Sequence, residues 1–518
     1  MESNITADIN KTDKTDGGDH MSYGTAAGSP GVRAEDFEAV IGLEVHSQLL
    51  TKTKMFCSCA NVFGLEPNSA VCPVCLALPG ALPVINFEGV KLAVKAALAL
   101  NINVNKKSLF ARKNYFYPDL PKGYQISQYL DPVSSNGYLA VKTDDGKEKK
   151  IRINRLHIEE DAGKLIHIGN SSYVDLNRAG TPLVEIVSEP DISSASEAVA
   201  YLKALREILV YLGVSDGNME EGSFRCDANV SVRRKGDLKL GTRAEVKNVN
   251  SFKFVEKAIE YEIERQIDVV LSGGSVIQET RLYDSKENVT RSMRSKEEAH
   301  DYRYFEEPDL PPLILSEEFI NEIKNSIIEL PETKRRRYVS EYKLTEYDAE
   351  VLTQDKDIAV YFEDLIEANK VNGGRLEIKK LANWVINELL SELKAREGEG
   401  RGLIKAEDFL ELISAVESGT VNRNTGKTIL SDMLSSGKKA SEIIKDKNLA
   451  QVSDDKGIED VIKQVLDENP KELSDILAGK DKLFGFFVGE AMKKTKGRAN
   501  PKKVNEILKK LIEEKKVV

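Results

Sequence analysis

The sequence predicts an α+β protein in which a β-rich region precedes a helical one. Residues 37–315 contain several segments in which apolar and polar side chains alternate, the pattern of strands with one buried face. Two helices are expected within this region: Ser194–Leu212, which opens with a capping box and ends at a glycine, and about Phe252–Leu271. Beyond the turn-forming segment Glu307–Pro312, the pattern changes to charged amphipathic helices.

These changes along the chain divide it into four parts. Residues 1–36 are rich in Asp, Gly, Ser and Thr and lack apolar periodicity, so we expect a disordered tail. The β-rich domain is predicted over 37–328, a helical domain over 329–440 and a small helical tail domain over 441–518. Three folded domains agree with the length of 518 residues, since one domain usually contains about 100–200 residues.

The composition is that of an ordinary globular chain. It is 41% apolar and 31% charged, which excludes collagen-like and low-complexity proteins. The net charge of −10, from 84 acidic and 74 basic residues, argues against a surface that is basic throughout. The apolar runs are too short to span a membrane and the N-terminus lacks a signal-peptide core. We therefore expect a cytoplasmic protein without a membrane partner.

The predicted strands share a polar face of unusual composition. Because successive side chains of a strand point to opposite sides, the apolar residues of Ile41–His46 leave Glu44 and His46 together on the other side. The same alternation occurs in later strands. In Leu156–Asp161 the polar residues are His157, Glu159 and Asp161, and Leu183–Val187 contains Glu185. In Phe224–Arg233 they are Arg225, Asp227, Asn229, Ser231 and Arg233. In Arg243–Lys247 they are Arg243, Glu245 and Lys247.

Two interpretations of this face are open. Antiparallel sheets commonly expose one side to water, and any single strand is explained in that way. Carboxylates, histidine, arginine and lysine gathered on strands that are far apart in sequence instead favour a hard cation such as Mg²⁺, with basic residues for phosphate groups. The second interpretation predicts metal-assisted phosphoryl transfer, and it does so without a P-loop or a dinucleotide-binding glycine motif.

Four of the five cysteines form two close pairs. Cys57 and Cys59 form the first pair, Cys72 and Cys75 form the second, and twelve residues separate Cys59 from Cys72. Four thiolates complete the tetrahedral coordination of Zn²⁺, so the spacing favours a structural zinc site. Two labile disulfides or ordinary buried cysteines are the alternatives. Cys226 falls on the apolar side of its strand and is expected in the core.

Two basic segments are candidate contacts for nucleic acid or nucleotides. Arg112–Tyr124 interleaves basic and aromatic residues, which suits stacking on bases and contacts with phosphates, or a loop held down by its aromatic side chains. Ala491–Val518 contains ten Lys or Arg against three Glu, a net charge of +7. That segment fits either a phosphate backbone or a solvated helix face.

Taken together, these segments resemble the B subunit of the aspartyl/glutamyl-tRNA amidotransferases. The resemblance covers the chain from about Phe37 to its end. Its motifs are Ile41–His46, the paired cysteines followed by Leu78-Pro79-Gly80, Arg112–Gln128, Leu156–Gly163, Asp175–Leu183, Met219–Asn229, Arg291–Pro312 and Phe484–Pro501. The resemblance implies a largely antiparallel β cradle distantly like glutamine synthetase, then a helical domain, then a small helical tail that touches tRNA.

The activity implied by the resemblance is the conversion of Glu-tRNA(Gln) to Gln-tRNA(Gln), or of Asp-tRNA(Asn) to Asn-tRNA(Asn). The B subunit of that family uses ATP and Mg²⁺ to phosphorylate the side-chain carboxylate, and ammonia then displaces the phosphate. The A subunit, an amidase, supplies the ammonia from glutamine, and a small C subunit completes the heterotrimer. The alternatives are a non-catalytic tRNA-docking member of the same complex and a stand-alone ligase for a small molecule.

The resemblance also suggests roles for individual residues. The expected catalytic residues and Mg²⁺ ligands are Glu44, His46, Glu159, Glu160 and Glu185. Strand alternation puts Glu159 and Glu160 on opposite faces, so both can bind one ion only if a bulge intervenes. The expected phosphate-binding residues are Arg225, Arg243 and Lys247. The expected tRNA contacts are Lys493, Lys494, Lys496, Arg498, Lys502 and Lys503.

Overall fold

The computed structural model describes residues 33–295, 299–396, 403–449, 455–478, 480, 483–495, 499 and 501–516. The described residues form two compact units, one ending at Ile328 and the other beginning at Glu329. Most of the expected disordered tail, residues 1–36, lies outside the described residues. The finer domain boundaries stay predictions.

The first unit combines many strands with a few helices. Its strands are β1 (Phe37–Gln48), β2 (Asn103–Val104), β3 (Lys107–Ser108), β4 (Ala111–Asn114), β5 (Tyr124–Ser127), β6 (Ser134–Lys142), β7 (Glu148–Glu160), β8 (Lys164–Ile168), β9 (Ser171–Asp175), β10 (Pro182–Ser188), β11 (Phe224–Arg234), β12 (Ala244–Val249), β13 (Glu279–Asp284), β14 (Val289–Ser295), β15 (Phe305–Glu306) and β16 (Leu313–Ile314). Its helices are α1 (Phe87–Ala99), α2 (Ala195–Tyr211), α3 (Phe252–Leu271) and α4 (Glu317–Ser326).

Nine of these strands form one large sheet in the described part of the unit. Their order is β14-β13-β12-β11-β1-β10-β7-β6-β2, and neighbours run antiparallel except for β12 and β13, which are parallel. Alternate residues of β11, namely Phe224, Cys226, Ala228 and Val230, are buried, as the alternation predicts. The α+β class is therefore confirmed, and so is the core position of Cys226.

The two long helices of this unit begin where their capping residues predict. Ser194 precedes α2, and its Oγ accepts a hydrogen bond of 3.1 Å from the backbone N–H of Glu197. Ser251 caps α3 in the same way, through the N–H of Phe254. Helix α3 packs against β11 and β12 and buries Val255 on its inner side. Helix α3 therefore supports two of the strands that carry the polar face, and α2 packs against α3.

The second unit is built of helices. They are α5 (Pro331–Tyr342), α6 (Glu346–Thr353), α7 (Lys356–Val371), α8 (Ile378–Trp384), a π-helical turn (Val385–Leu389), α9 (Leu390–Ala395), α10 (Ala406–Glu417), α11 (Arg423–Ser436), α12 (Ala440–Asp446), α13 (Asp455–Glu468), α14 (Pro470–Leu477), α15 (Phe484–Lys494) and α16 (Pro501–Lys516).

Two separate apolar cores hold these helices together among the described residues. One contains buried side chains from Tyr338 to Ile443, and the other contains buried side chains from Ile458 to Ile512. Each core collects the apolar stripes of its amphipathic helices. No described helix is both long enough and apolar enough to cross a membrane.

Candidate active site

Strands β7, β10, β1, β11 and β12 lie side by side and bring distant polar residues together. Glu185 of β10 is opposite His46 of β1 on one side and His157 of β7 on the other. Glu44 of β1 is opposite Asp227 of β11. Paired residues on adjacent strands project from the same face of a sheet. The register therefore unites on one face side chains from segments that are far apart in sequence.

His46, Glu159 and Glu185 form the first group, which we call the histidine cluster. Their metal-ligating atoms all lie within 4.8 Å of one another. The Nε2 atom of His46 is 3.3 Å from a carboxylate oxygen of Glu185 and 3.8 Å from one of Glu159. His157 adds a second imidazole, 3.5 Å from Glu185 and 3.6 Å from Glu159. Two buried carboxylates with imidazole nitrogen form a donor set that suits a divalent cation.

Electrostatics keep these two carboxylates ionised. Burial alone would raise the pKa of Glu185, but the charges of His157, His46 and Lys113 and a hydrogen bond to His46 hold that pKa well below its usual range. Burial opposes the charge on Glu159 too, yet its hydrogen bond to His157 leads the contacts that lower its pKa. Ionised carboxylates are the form that binds a metal ion, so both carboxylates of the cluster are in that form.

Glu44, Asp227 and Glu245 form the second group, which we call the carboxylate cluster. Their oxygens also lie within 4.8 Å of one another. Asn229 donates a hydrogen bond of 2.9 Å to Glu44, and Lys247 forms ion pairs with Asp227 and, at 3.5 Å, with Glu245. Burial would lower the pKa of Lys247, but Asp227 and then Glu245 raise it. Three oxygen ligands beside one lysine fit Mg²⁺ and a phosphate group together.

The expected phosphate-binding residues occupy different surroundings. Arg225 lies opposite His46 and donates two hydrogen bonds, of 2.9 and 3.1 Å, to the Asp161 carboxylate. Lys247 belongs to the surroundings of the carboxylate cluster. Arg243 is exposed just before β12 begins. The structure thus brings Arg225 and Lys247 to the polar face and leaves Arg243 at its edge.

The Asp161 ion pair predicts a contribution to stability that disappears in acid. Burial would raise the pKa of this carboxyl, but the charges of Arg225 and Arg178 lower it to about 2. A carboxyl with a lowered pKa stabilises the folded state above its unfolded pKa of about 3.9, and this stabilisation is lost as the pH falls toward 2. We expect Asp161→Asn to lower the free energy of unfolding by about 2–3 kcal/mol at neutral pH and by progressively less below pH about 4.

Urea denaturation at several pH values between about 7 and 3 measures this difference. Asp237→Asn is the matched control, because Asp237 is exposed and the substitution removes the same charge. If the loss of unfolding free energy in Asp161→Asn stayed constant over the whole pH range, the stabilisation could not come from the ionised Asp161 carboxylate.

Glu160 lies on the opposite face from Glu159. No register shift separates the two residues in the β7–β10 ladder, so the alternation is unbroken. The Glu160 carboxylate accepts a hydrogen bond of 3.0 Å from the backbone N–H of Ile126 and forms an ion pair with Lys122. The bulge that a shared metal site would need is not present between these two described residues, and Glu160 instead fastens β5 and the loop before it to the end of β7.

Several further residues of the face have surroundings that the sequence alone does not reveal. Asp227, Glu245 and His157 are visible in the alternation, but nothing in the sequence shows which strands are neighbours. Lys113 is harder to predict as a residue of this site, because in the sequence it is one basic residue in an aromatic segment. It is half-buried, and the charges of Glu159, Tyr304 and Glu185 raise its pKa although desolvation opposes this. It therefore supplies a fixed positive charge beside the histidine cluster.

The four paired cysteines converge. The Cys75 sulfur lies 3.6 Å from that of Cys57, 3.7 Å from that of Cys72 and 3.9 Å from that of Cys59. A tetrahedral Zn²⁺ with Zn–S bonds of about 2.3 Å holds its sulfurs about 3.8 Å apart. All four are free thiols, so the disulfide alternative is not what the structure contains. The arrangement fits a four-thiolate zinc site.

The charges within this group already favour one thiolate. A hydrogen bond from Cys57 and the charge of Lys54 lower the pKa of Cys75 to about 4, against the effect of burial. The hydrogen bond to Cys75 raises the pKa of Cys57, and burial leads the contacts that raise that of Cys59 to about 11. A metal ion is the group that would allow all four sulfurs to be thiolates at once.

The basic and aromatic segment Arg112–Tyr124 is anchored at both ends and exposed in the middle. Arg112 forms two hydrogen bonds of 2.7 Å with Glu307, and its guanidinium lies 4.2 Å from the centre of the Tyr124 ring. At the apex, Phe116 and Tyr117 are 80% and 53% exposed. The ends match the held-down loop, and the apex offers aromatic rings for stacking.

The basic tail contributes cations from two helices. Lys493 and Lys494 lie in the last turn of α15, while Lys502 and Lys503 lie in the first turn of α16. Lys493 pairs with Glu490 at 3.4 Å. The other two expected tRNA contacts, Lys496 and Arg498, lie outside the described residues.

Comparisons with known proteins match almost the whole chain. The family model described as "GatB/GatE catalytic domain" matches residues 39–321, and the one described as "GatB domain" matches residues 360–512. The curated B subunit of the aspartyl/glutamyl-tRNA(Asn/Gln) amidotransferase of Persephonella marina is 54% identical over 478 residues, which are 92% of this chain and 100% of that protein. Its counterpart in Thermodesulfovibrio yellowstonii is 54% identical over 483 residues, 92% of this chain and 100% of the relative. The B subunit of Myxococcus xanthus is 54% identical over 479 residues, which are 92% of this chain and 98% of that protein.

The matches confirm the resemblance carried by the sequence motifs. The first family model covers more than half of the chain. It contains the histidine cluster, the carboxylate cluster and all four paired cysteines. The relatives extend the likeness through the helical unit. The chain belongs to the family of B subunits of the aspartyl/glutamyl-tRNA(Asn/Gln) amidotransferases.

Proposed function

We propose that this chain uses ATP and Mg²⁺ to phosphorylate the side-chain carboxylate of Glu-tRNA(Gln) or Asp-tRNA(Asn), and that it amidates the product with ammonia. The products are Gln-tRNA(Gln) or Asn-tRNA(Asn), which makes the chain part of a C–N bond-forming ligase. The observation that carries this proposal is the pair of acidic clusters on one sheet face, with Arg225 and Lys247 beside them.

The chemistry requires such a face. A carboxylate resists attack by ammonia because it is negatively charged and offers oxide as its leaving group. Phosphorylation supplies a good leaving group, so the C–O bond to phosphate breaks as the C–N bond forms. The carboxylate and the γ-phosphate of ATP are both anions, and they must be brought together in a site that supplies positive charge.

The histidine cluster and the carboxylate cluster are the proposed Mg²⁺ sites. His46, Glu159 and Glu185 would hold one ion, and Glu44 with Asp227 and Glu245 would hold another. Bound Mg²⁺ neutralises phosphate oxygens and orients the transferred group. The protein's own cations would do the rest, with Arg225 and Lys247 binding phosphate oxygens. Glu160 is left out of the metal set because it lies on the other face.

The proposed assembly is a heterotrimer with an amidase, the A subunit, and a small C subunit. The sequence has neither the Ser-Ser-Lys set of an amidase nor a paired Cys and His for glutaminase chemistry, so ammonia needs a separate source. We propose that the large sheet forms a cradle, similar to that of glutamine synthetase, which shelters the acyl-phosphate from water. The antiparallel order of its strands supports this architecture.

The proposed function is tested by reconstitution with the partner subunits. Formation of Gln-tRNA from Glu-tRNA and glutamine should require both ATP and Mg²⁺, and phosphate should be released in equal amount. A docking role predicts tRNA binding without ATP cleavage by this chain. A stand-alone ligase predicts amidation of free glutamate without tRNA, and either outcome would replace the proposal.

We propose a structural Zn²⁺ at Cys57, Cys59, Cys72 and Cys75. Four sulfurs close all positions of a tetrahedral ion, so this site would stabilise the fold and take no part in the reaction. Free thiols suit a reducing compartment, which supports a cytoplasmic location. Metal analysis of the freshly reduced chain should find about one equivalent, and less than about half an equivalent would count against the site.

The tail of the second unit is the proposed tRNA contact. Lys502 and Lys503 lie in the first turn of α16, where their charges and the backbone N–H groups of that turn would both favour a bound phosphate. Lys493 and Lys494 extend the basic surface on α15, and Lys496 and Arg498 between the helices complete the proposed set.

Replacing Lys493 with Ala should weaken tRNA binding and reduce its salt dependence. The logarithm of the binding constant should fall less steeply with the logarithm of salt concentration, by about one unit of slope for each phosphate that the protein no longer neutralises. Lys370→Ala is a matched control, because Lys370 pairs with Glu367 across one helical turn at the same 3.4 Å as Lys493 with Glu490. Equal effects of the two substitutions would remove Lys493 from the tRNA surface.

A further inference from the structure

Lys54 is a fully buried lysine at the edge of the cysteine group. Its side chain has no exposed surface. The Nζ atom donates a hydrogen bond of 2.7 Å to the carbonyl of Ala70, lies 3.4 Å from the carbonyl of Leu176 and is 3.5 Å from the sulfur of Cys75. Within the part of the chain that the structure describes, it forms no ion pair with a carboxylate. The cysteine sulfur is therefore its nearest candidate anion.

The charges of the two groups complement each other. Four thiolates around Zn²⁺ carry a net charge of −2, which is costly in a poorly hydrated interior. A buried ammonium is costly for the same reason and needs an anion nearby. One ammonium beside one of the sulfurs lowers both costs at once, and neutral thiols would leave the lysine with carbonyl partners only.

Lys54 also connects the cysteine loops to the end of the polar face. Leu176, whose carbonyl it contacts, belongs to the segment between β9 and β10, and the Lys54 stem packs against Gly180 in that segment. A Cβ at Gly180 would lie 3.4 Å from the Lys54 side chain, and the backbone there is left-handed, with φ of +86°. The Gly180 N–H in turn donates to the carbonyl of Asp161, the partner of Arg225.

We propose that Lys54 is the internal counter-cation of the four-thiolate zinc site and a positioning residue that ties this site to the segment 176–180 beside the active face. The inference rests on the zinc site proposed above. Lys54 would offset the net charge of −2 on the buried zinc site, whichever residues bind ATP.

The rate of zinc transfer to a chromogenic chelator tests the proposal on the full-length chain. Lys54→Met keeps the length and apolar stem of the side chain and removes its charge. Since the groups that contact the ligands of a metal typically affect its affinity about 10–100-fold, zinc should leave Lys54→Met faster by about that factor. Lys52→Met is the matched control, because Lys52 is two residues away and exposed, and it should behave as the wild type.

A charge effect can be distinguished from a packing effect by changing the charge of the site. Cys59→His replaces a thiolate with a neutral ligand, so the net charge changes from −2 to −1 and the attraction to Lys54 is halved. In that background, Lys54→Met should accelerate zinc loss by only about 3–10-fold, the square root of its effect in the wild type. The same factor in both backgrounds would mean that Lys54 only packs, and the proposal would be overturned.

A measurement on the unsubstituted chain covers the case in which Lys54→Met does not fold. Acetylation of lysines followed by mass spectrometry should leave Lys54 unmodified while zinc is bound and modify it after zinc is removed, with Lys52 modified in both states. Protection that survives zinc removal would overturn the proposal. A wild-type chain without zinc would refute the zinc site itself, while the amidation assay would judge the proposed function separately.

Discussion

Glu185→Gln is expected to lower ATP-dependent formation of Gln-tRNA by about a hundred- to a thousand-fold, because a bound metal ion supplies several kcal/mol of transition-state stabilisation. Glu185 lies at the centre of the histidine cluster, opposite both His46 and His157. The amide keeps the shape of the side chain but loses the charge that these imidazoles and Lys113 surround. The loss should therefore fall on phosphoryl transfer and leave tRNA binding unchanged.

Glu189→Gln serves as the control for this experiment. Glu189 lies just past the end of the same strand, where its carboxylate accepts a hydrogen bond of 2.7 Å from Asn154. Steady-state rates of phosphate release and amidation should be measured for both variants in the reconstituted complex, together with tRNA affinity. Full activity of Glu185→Gln would remove the histidine cluster from the reaction, and loss of tRNA binding alone would favour the docking alternative.

Strand alternation in the sequence is enough to predict the polar face. The period of two is a local property, so Glu44 with His46, and Asp227 with Asn229, can be assigned to one side without knowing the fold. The same rule places Glu159 and Glu160 on opposite faces, and the unbroken β7–β10 register agrees. The register therefore argues against Glu160 as a metal ligand, although the surrounding motif suggests that role.

The division of the acidic residues into two clusters cannot be predicted in this way. It depends on which strands are neighbours, and β1 lies between β10 and β11, which are separated in the chain by helix α2. Strand order is fixed by long-range pairing that no local pattern encodes. For this reason the sequence groups Glu44 with His46, although the Glu44 carboxylate joins Asp227 and Glu245.

Lys54 and Lys113 show a second limit of prediction from the sequence. An exposed side chain is the ordinary expectation for a lysine. The surroundings of each side chain depend on segments distant in sequence, near Leu176 for Lys54 and near Tyr302 for Lys113. A charged residue whose partners come from elsewhere in the chain cannot be recognised from its neighbours in sequence. The four cysteines can be recognised, because their spacing itself predicts a metal site.

Asp227→Asn should lower amidation by about a hundredfold and raise the Mg²⁺ concentration needed for half-maximal rate. The three carboxylates of the carboxylate cluster would contribute −3 and Lys247 +1, so the substitution would change the net charge from −2 to −1. Lys247→Met shifts that charge the other way, to −3. It should therefore bind Mg²⁺ more tightly and still lose activity, because the proposed phosphate contact is gone.

These opposite shifts in Mg²⁺ dependence separate a metal site from a structural ion-pair network, in which both substitutions would simply destabilise the fold. Magnesium titrations of ATP cleavage at saturating tRNA provide the measurement, with Asp237→Asn as the control for loss of one exposed acidic charge. If Asp227→Asn and Lys247→Met moved the Mg²⁺ requirement in the same direction, the carboxylate cluster would be a stabilising network, and the histidine cluster would remain as the proposed catalytic metal site.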